Sequence, residues 1–113
     1  MVKVTLLMVT EFQHRVYEVV KRIPAGSVAT YASVAREIDC GCPRAVGQAL
    51  KRNPFAPRVP CHRVVCTDGR LGGFAGRTDG PQIERKQRLL EKEGVSVRNG
   101  RVVKAPFWTH GNA

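Results

Sequence analysis

The sequence is poor in acidic residues and in aromatic residues, and it lacks a long apolar run. It has 9 aspartates and glutamates against 19 lysines and arginines, and only 6% of its residues are aromatic. The mostly apolar residues 4–9 are far shorter than the roughly 18 residues of a membrane-spanning helix, and no small-residue cleavage site follows them. We therefore expect no membrane partner and an intracellular protein, located in the cytoplasm, nucleoid or nucleus.

Cysteine is also sparse, with four residues: Cys40, Cys42, Cys61 and Cys66. Such a sequence is not a disulfide-dense scaffold, and intracellular cysteines are more often buried, reactive or metal-bound than bridged. Cys40-Gly41-Cys42 could supply two zinc ligands, and a structural disulfide is the other alternative. No second ligand pair follows at zinc-finger spacing, so we expect no metal and no other cofactor.

What the sequence has in excess is positive charge. The 113 residues suffice for one domain and carry a formal net charge of +10. A small globular domain with this excess most plausibly binds a polyanion, and nucleic acid is favoured over a membrane surface. The alternative is a basic protein whose charge serves only solubility. We expect a monomer.

Three short helices are predicted in the first half of the chain. Thr10 to Gln13 has the spacing of a capping box, Thr30 is a second N-cap, and Pro43 suits the first position of a third helix. The apolar faces at helical spacing are Phe12, Val16, Val19, Val20 and Ile23, then Val34, Ala35 and Ile38, then Val46, Ala49 and Leu50. The second and third helices form a helix-turn-helix candidate.

The second half predicts a strand over Val59–Val65, then a helix that begins at Pro81 and ends at Gly94, with Ile83, Leu89 and Leu90 on its apolar face. A hairpin with a type I′ Asn99-Gly100 turn follows. The predicted fold is α/β, mainly α: a winged helix-turn-helix-like DNA-binding domain with a short C-terminal β-hairpin. We expect it to span residues 10–108, between an N-terminal extension (1–9) and a tail (109–113).

The segment around Cys61 has the composition of a reactive thiol site. A thiol attacks as the thiolate, which nearby cationic or basic groups favour, and His62 and Arg63 follow at once. Neighbouring residues on a strand point to opposite faces, so a proton relay through one water is more plausible than direct contact. The alternative is a buried structural cysteine beside a solvated basic pair.

Residues 60–65, Pro-Cys-His-Arg-Val-Val, resemble the active-site signature of the O6-alkylguanine-DNA alkyltransferases, the methylated-DNA–protein-cysteine methyltransferases. The resemblance covers roughly residues 10–94. It includes Gly-Ser-Val-Ala-Thr-Tyr at 26–31, Arg-Ala-Val-Gly at 44–47, Asn-Pro at 53–54 and Leu-Leu-Glu-Lys-Glu-Gly at 89–94, in the family's order and spacing.

The resemblance implies DNA repair by direct, stoichiometric transfer of an alkyl group. The protein would bind double-stranded DNA in the minor groove and flip out O6-alkylguanine, and by extension O4-alkylthymine. The nucleophile would be Cys61, with His62 as a base acting through water and Glu93 orienting the imidazole. Asn53 would be a hinge, and Tyr31 would promote base rotation and help protonate the leaving base.

The resemblance also implies contacts to DNA and to the base. Arg44 would fill the gap left by the flipped base. The other expected DNA-binding residues are Tyr31, Ala45, Gly47, Lys51, Arg63 and Thr67. The expected pocket residues are Leu50, Pro57, Val64, Phe74 and Ala75, with the Val64 carbonyl and the Ala75 amide near the guanine edge. Ala75 stands where many relatives have Ser, which removes a hydroxyl from the guanine O6.

Two alternatives stay open. Full-length alkyltransferases carry an N-terminal domain, whereas only some ten residues precede the first helix here, as in alkyltransferase-like proteins. Those bind O6-alkylguanine without transfer and hand lesions to nucleotide excision repair proteins, usually with Trp or Ala in place of the nucleophile. Because Cys61, His62, Asn53 and Glu93 are all retained, transfer is favoured. A winged-helix transcription regulator is disfavoured, since the small residues after Arg44 suit a minor groove better than base readout.

Overall fold

The computed structural model describes residues 9–73 and 80–108, and the predicted pocket residues Phe74 and Ala75 lie outside them. The elements, in chain order, are α1 (Glu11–Val20), β1 (Ala29–Thr30), α2 (Tyr31–Glu37), α3 (Pro43–Lys51), a 3₁₀ turn (Cys61–Arg63), β2 (Val64–Val65), α4 (Pro81–Lys92), β3 (Ser96–Arg98) and β4 (Arg101–Lys104). The fold is thus α/β and rich in helix, as predicted. Within these two ranges, no helix has the length and apolarity needed to cross a membrane.

The helices begin where the capping signals predict. The Thr10 hydroxyl accepts a hydrogen bond from the Gln13 amide at 3.0 Å, and the Gln13 side chain accepts one from the Thr10 amide at 3.0 Å. Thr30 caps α2 in the same reciprocal way with Ser33. Pro43 opens α3, where its missing N–H leaves no donor unpaired.

Two hydrophobic clusters hold the described fold together. The first joins the inward faces of α1, α2 and α3, and the predicted inward residues of all three helices belong to it or pack against it. The second cluster consists of Val28, Val65, Leu71, Leu90 and Val95. The segment that carries Cys61 lies between them, because Val64 belongs to the first cluster and Val65 to the second.

Strands β1 and β2 bring two distant segments together. They pair in parallel, with Ala29 opposite Val64 and Thr30 opposite Val65. Because Thr30 ends β1 and also caps α2, this register places Tyr31 beside the strand that follows Cys61.

The predicted strand over Val59–Val65 is wrong for most of its length. Pro60 has φ −81° and ψ 70°, an inverse γ-turn in which the Cys61 amide donates to the Val59 carbonyl at 2.8 Å. The Arg63 amide then bonds to the Pro60 carbonyl at 2.9 Å and closes a 3₁₀ turn. The proline ring restricts the backbone, and the two tight turns prevent an extended strand before Val64. Only Val64 and Val65 are extended.

The predicted hairpin is confirmed. Asn99 and Gly100 have φ values of 54° and 74°, the positive angles that a type I′ turn requires at both central positions. The hairpin is fastened to the turn after β2, since the Val102 amide bonds to the Gly69 carbonyl at 2.8 Å and the Leu71 amide to the Gly100 carbonyl at 3.1 Å.

Candidate active site

Cys61 is the first residue of the 3₁₀ turn and is partly exposed. Asn53, just after α3, hydrogen-bonds to the segment that leads to Cys61. The Asn53 side-chain amide donates to the Val59 carbonyl at 2.9 Å, and its oxygen accepts from the Phe55 amide at 2.9 Å. The end of α3 is therefore tied to the turn that presents the thiol.

His62 and Glu93 form a hydrogen-bonded pair. His62 is 5% exposed, and its Nε2 lies 3.0 Å from Glu93 Oε2. Burial lowers the pKa of His62, although the hydrogen bond and charge of Glu93 oppose this effect. The imidazole is therefore neutral near pH 7, and when Nε2–H donates to the carboxylate, Nδ1 is left as an acceptor able to take a proton.

Arg63 holds the same carboxylate from its other side. Its Nε and Nη2 donate to Glu93 Oε1 and Oε2 at 3.0 and 2.7 Å, a bidentate pair, and its Nη1 donates to the Ile23 carbonyl at 2.8 Å. Burial by itself would raise the pKa of Glu93, but the hydrogen bonds and charges of Arg63 and His62 outweigh it, and the pKa is lowered. Arg63 was expected to contact DNA; its guanidinium instead serves within the protein.

Tyr31, the first residue of α2, lies against glycines on two other segments. A Cβ on Gly72 would lie 3.1 Å from the phenolic oxygen, and one on Gly47 would lie 3.9 Å from the ring. The hydroxyl donates a long hydrogen bond of 3.5 Å to the Gly73 carbonyl. Burial, with the nearby Cys66 and Cys61 thiols, raises the pKa of Tyr31, so the phenol keeps its proton at neutral pH.

Lys86 is a site residue that sequence reasoning missed. Its side chain is fully buried, and its ammonium donates to the carbonyls of Val64 at 2.8 Å, Gly73 at 3.1 Å and Leu71. Burial lowers the pKa of Lys86 to about 8, although Cys61 and Cys66 oppose this shift. The sequence did carry a signal, because Lys86 stands three residues after Ile83 and four before Leu90 on the apolar face of α4.

The expected DNA-binding residues other than Arg63 occupy two neighbouring regions. Arg44, Ala45, Gly47 and Lys51 lie on α3, and Thr67 lies in the turn after β2. The side chains of Arg44, Lys51 and Thr67 are exposed. Tyr31 is near both regions through its contacts with Gly47 and Gly72.

The expected base pocket needs correction at two positions. Leu50 and Val64 are 7% and 0% exposed and belong to the hydrophobic core, because both side chains pack among the helices. The Val64 carbonyl, expected at the guanine edge, accepts the Lys86 ammonium. Pro57, the remaining described residue of the expected pocket, is exposed. All four cysteines are free thiols, and among the described residues no cluster of three or more His, Cys, Asp or Glu side chains is arranged to hold a metal ion.

Comparison with known proteins places this geometry in a family. Residues 11–95 match the model of the 6-O-methylguanine DNA methyltransferase DNA-binding domain. The methylated-DNA–protein-cysteine methyltransferase of Methanothermobacter thermautotrophicus is 49% identical over 88 residues, which are 78% of this chain and 47% of that protein. The chain spans about half the length of this and similar curated relatives.

Two solved structures with DNA share the fold. Mycobacterium tuberculosis OGT bound to DNA has a TM-score of 0.68 at 44% identity, covering 74% of this chain and 50% of that one. Schizosaccharomyces pombe Atl1, bound to damaged DNA containing O6-carboxymethylguanine, has a TM-score of 0.69 at 36% identity, covering 78% and 80%. The chain therefore belongs to the 6-O-methylguanine DNA methyltransferase family, with residues 11–95 forming the domain that the family's DNA-binding model describes.

Proposed function

We propose that this chain repairs DNA by transferring the alkyl group of O6-alkylguanine to Cys61. The observation that carries the proposal is the 3.0 Å bond between Glu93 Oε2 and the Nε2 of His62, the residue that follows Cys61 in the chain. This hydrogen bond orients a neutral imidazole whose second nitrogen is available to accept a proton. Within the described part of the chain, Cys61 and His62 form no direct hydrogen bond, which is consistent with a relay through one water.

In this reaction His62 accepts the thiol proton through the water, and the Cys61 thiolate attacks the alkyl carbon on O6. The sulfur–carbon bond forms as the carbon–oxygen bond breaks, and the electron pair of that bond stays on the guanine. The Tyr31 phenol donates a proton to the base, and the proton that His62 took from the thiol then returns to the Tyr31 oxygen, because the raised pKa of Tyr31 makes its phenolate a strong base. The thioether is stable, so each molecule acts once and needs no cofactor.

We propose that α2 and α3 bind DNA in the minor groove, with the C-terminal hairpin as a wing. The alkylated guanine would be flipped out of the base stack. Exposed Arg44 at the start of α3 would fill the gap. An Arg44→Ala variant should lose transfer from duplex DNA far more than reaction with free O6-benzylguanine, because only the duplex leaves a gap. Equal losses on both substrates would contradict the intercalating role.

A second candidate, lesion binding without transfer, is favoured by the Schizosaccharomyces pombe Atl1 likeness, since that structure holds DNA with O6-carboxymethylguanine still present. Retention of Cys61 beside the His62–Glu93 pair favours transfer. The two functions separate when a duplex with O6-methylguanine is incubated with excess protein and its nucleosides are then quantified. Transfer converts O6-methylguanine to guanine. A protein that only binds the lesion slows the duplex in a native gel and leaves the modified base intact.

A further inference from the structure

Three arginines lie side by side on the C-terminal hairpin and the turn that is fastened to it. Arg98 and Arg101 are paired across strands β3 and β4, and Arg101 is also paired with Arg70 through an antiparallel bridge. Residues directly opposite each other in such pairs project from the same face of a sheet. We call these three exposed residues, Arg70, Arg98 and Arg101, the arginine row.

The arginine row faces away from the core. The neighbouring pair in the same ladder, Val97 and Val102, is partly buried against the second hydrophobic cluster. Because successive residues of a strand point to opposite faces, Arg98 and Arg101 project from the outer face of the hairpin. The row therefore takes no part in the packing that holds the hairpin in place.

The row is unfavourable for the hairpin by itself. Like charges directly opposite each other destabilise a strand pair, and Arg101 stands between two other arginines. Residues 66–71 and 95–104, which form the row and its surroundings, contain a single acidic residue, Asp68. A surface that served only the fold would gain stability from opposite charges in these pairs, so the arrangement points to an anionic partner.

Two of the three arginines have no counter-charge. The Asp68 carboxylate forms an ion pair with Arg70, with Nε and Oδ2 2.8 Å apart. In the part of the chain that the structure describes, no carboxylate forms an ion pair with Arg98 or Arg101, and Arg101 reaches only the Asp68 backbone carbonyl, at 3.4 Å. Two guanidinium groups are therefore free to bind the oxygens of a phosphate.

The row is attached to the candidate active site through the turn after β2. The Gly69 carbonyl of this turn accepts a hydrogen bond from the Val102 amide at 2.8 Å. Farther along the same segment, Gly72 packs against Tyr31, and the Tyr31 ring in turn lies against Gly47 of α3. A continuous set of contacts thus runs from α3 through Tyr31 to the hairpin, with the row at its far end.

We propose that the arginine row is a second phosphate-binding surface, which holds the DNA backbone away from the flipped base and adds affinity for duplex DNA whether or not a base is alkylated. The proposal rests on the DNA binding of the proposed function and not on alkyl transfer. Phosphate contacts carry no sequence information and release condensed counter-ions, so the row's contribution is independent of the lesion and weakens with salt.

The first test replaces both arginines that lack a carboxylate partner, Arg98→Gln together with Arg101→Gln. The matched control, Arg85→Gln with Arg88→Gln, removes two exposed arginines from α4 and so has the same net charge. Affinity is measured between about 50 mM and about 200 mM salt. The ligands are an undamaged duplex and the same duplex with O6-methylguanine, and every protein carries Cys61→Ser so that no alkyl group is transferred.

The row variant should lose about 1.8 from the slope of log affinity against log salt, which is about 0.9 for each phosphate contact. The parent's advantage over the row variant should therefore shrink about tenfold across that salt range. The loss should be equal for the two duplexes, and the α4 control should keep the parent's slope. An unchanged slope, an equal loss in the α4 control, or a loss confined to the alkylated duplex would overturn the proposal.

Two further variants separate charge from structure. Arg98→Lys with Arg101→Lys keeps both charges and should keep the parent's slope, and a slope as low as that of the glutamine variant would overturn the proposal. If the glutamine double variant does not fold, Arg98→Gln alone is measured. It must lose about 0.9 from the slope, the value of one phosphate contact, and an unchanged slope would overturn the proposal.

Reaction with free O6-benzylguanine separates this proposal from the proposed function, because the free base has no phosphates. Proteins that retain Cys61 should react at the same rate with and without the row. If neither reacts but the row variant loses its salt slope, transfer is wrong and the row's role is supported. If both react and the slopes are equal, transfer is supported and the row's role is wrong.

Discussion

Asn53 and Cys61 donate to the same acceptor, the carbonyl oxygen of Val59. The Asn53 side chain bonds to it at 2.9 Å and the Cys61 backbone amide at 2.8 Å. One oxygen atom therefore links the end of α3, which we propose lies on DNA, to the turn that presents the nucleophile. The hinge role proposed for Asn53 would act through this shared carbonyl.

Replacing Asn53 with Asp keeps the oxygen that accepts from Phe55 but removes the donor to Val59. The turn before Cys61 should then loosen, and misplacement of a reacting atom by about an ångström slows reaction by up to about a hundredfold. Single-turnover transfer from an O6-methylguanine duplex measures the change. An Asn53→Asp rate equal to the parent rate would show that the shared carbonyl does not position the thiol.

Gly72 offers a test of how tightly Tyr31 is held. An alanine there adopts φ near +73° and places its Cβ 3.1 Å from the Tyr31 hydroxyl and 3.2 Å from Cys66 Sγ. Gly94→Ala is the matched control, since it has φ +94° and nothing within 4 Å. Both variants should lose about 1–2 kcal/mol of unfolding free energy from the positive φ.

Only Gly72→Ala should slow transfer, because only its methyl group displaces the phenol. Denaturant unfolding and single-turnover kinetics on the two variants measure the two effects separately. Equal transfer rates in Gly72→Ala and Gly94→Ala would contradict the close packing of Tyr31 against Gly72.

Glu93→Gln tests the carboxylate that His62 and Arg63 share. The substitution removes the negative charge from a partly buried bidentate pair and should lower the free energy of unfolding by about 2 kcal/mol. It should also slow transfer, since the imidazolium loses its counter-charge. Glu91→Gln, an exposed position near the end of α4 and two residues before Glu93, should behave like the parent in both assays. Matching losses in the two variants would mean that Glu93 has no special role.

The pH dependence of stability tests the buried state of Lys86. Its pKa is about 8 in the folded chain against an ordinary 10.5, so between these values the unfolded chain binds one more proton than the folded chain. The free energy of unfolding contributed by this group must therefore rise as the pH rises through that interval. Denaturant titrations across it should show that rise in the parent and in Lys92→Met, and a weaker one in Lys86→Met. Identical slopes in all three would contradict the lowered pKa.

Local signals predicted much of the fold. The N-caps at Thr10 and Thr30, the proline at the start of α3 and the Asn99-Gly100 turn act within a few residues of themselves, and the structure confirms each. The strand over Val59–Val65 failed because alternating apolar residues do not reveal how Pro60 bends the backbone into a turn.

The sequence predicted the site residues that belong to a family motif, and it did not predict those whose roles depend on tertiary contacts. Cys61, His62 and Glu93 came from the resemblance, and the structure brings His62 and Glu93 together. Arg63 was expected to contact DNA because its ion-pair partner, Glu93, lies 30 residues away and the sequence gives no sign that the two side chains meet. Lys86 was missed because its acceptors are backbone carbonyls, which have no sequence signature.

The most direct test of the account is the mass of the tryptic peptide Val59–Arg63 after the protein has reacted with an O6-methylguanine duplex. Trypsin cuts after Arg58 and Arg63, so this peptide contains Cys61 alone, while Cys66 lies in the next peptide, Val64–Arg70. We expect Val59–Arg63 to gain the mass of one methylene, in an amount equal to the guanine restored, with no change in Val64–Arg70. An unmodified Val59–Arg63 peptide from protein that binds the duplex would contradict transfer to Cys61 and leave lesion binding as the function.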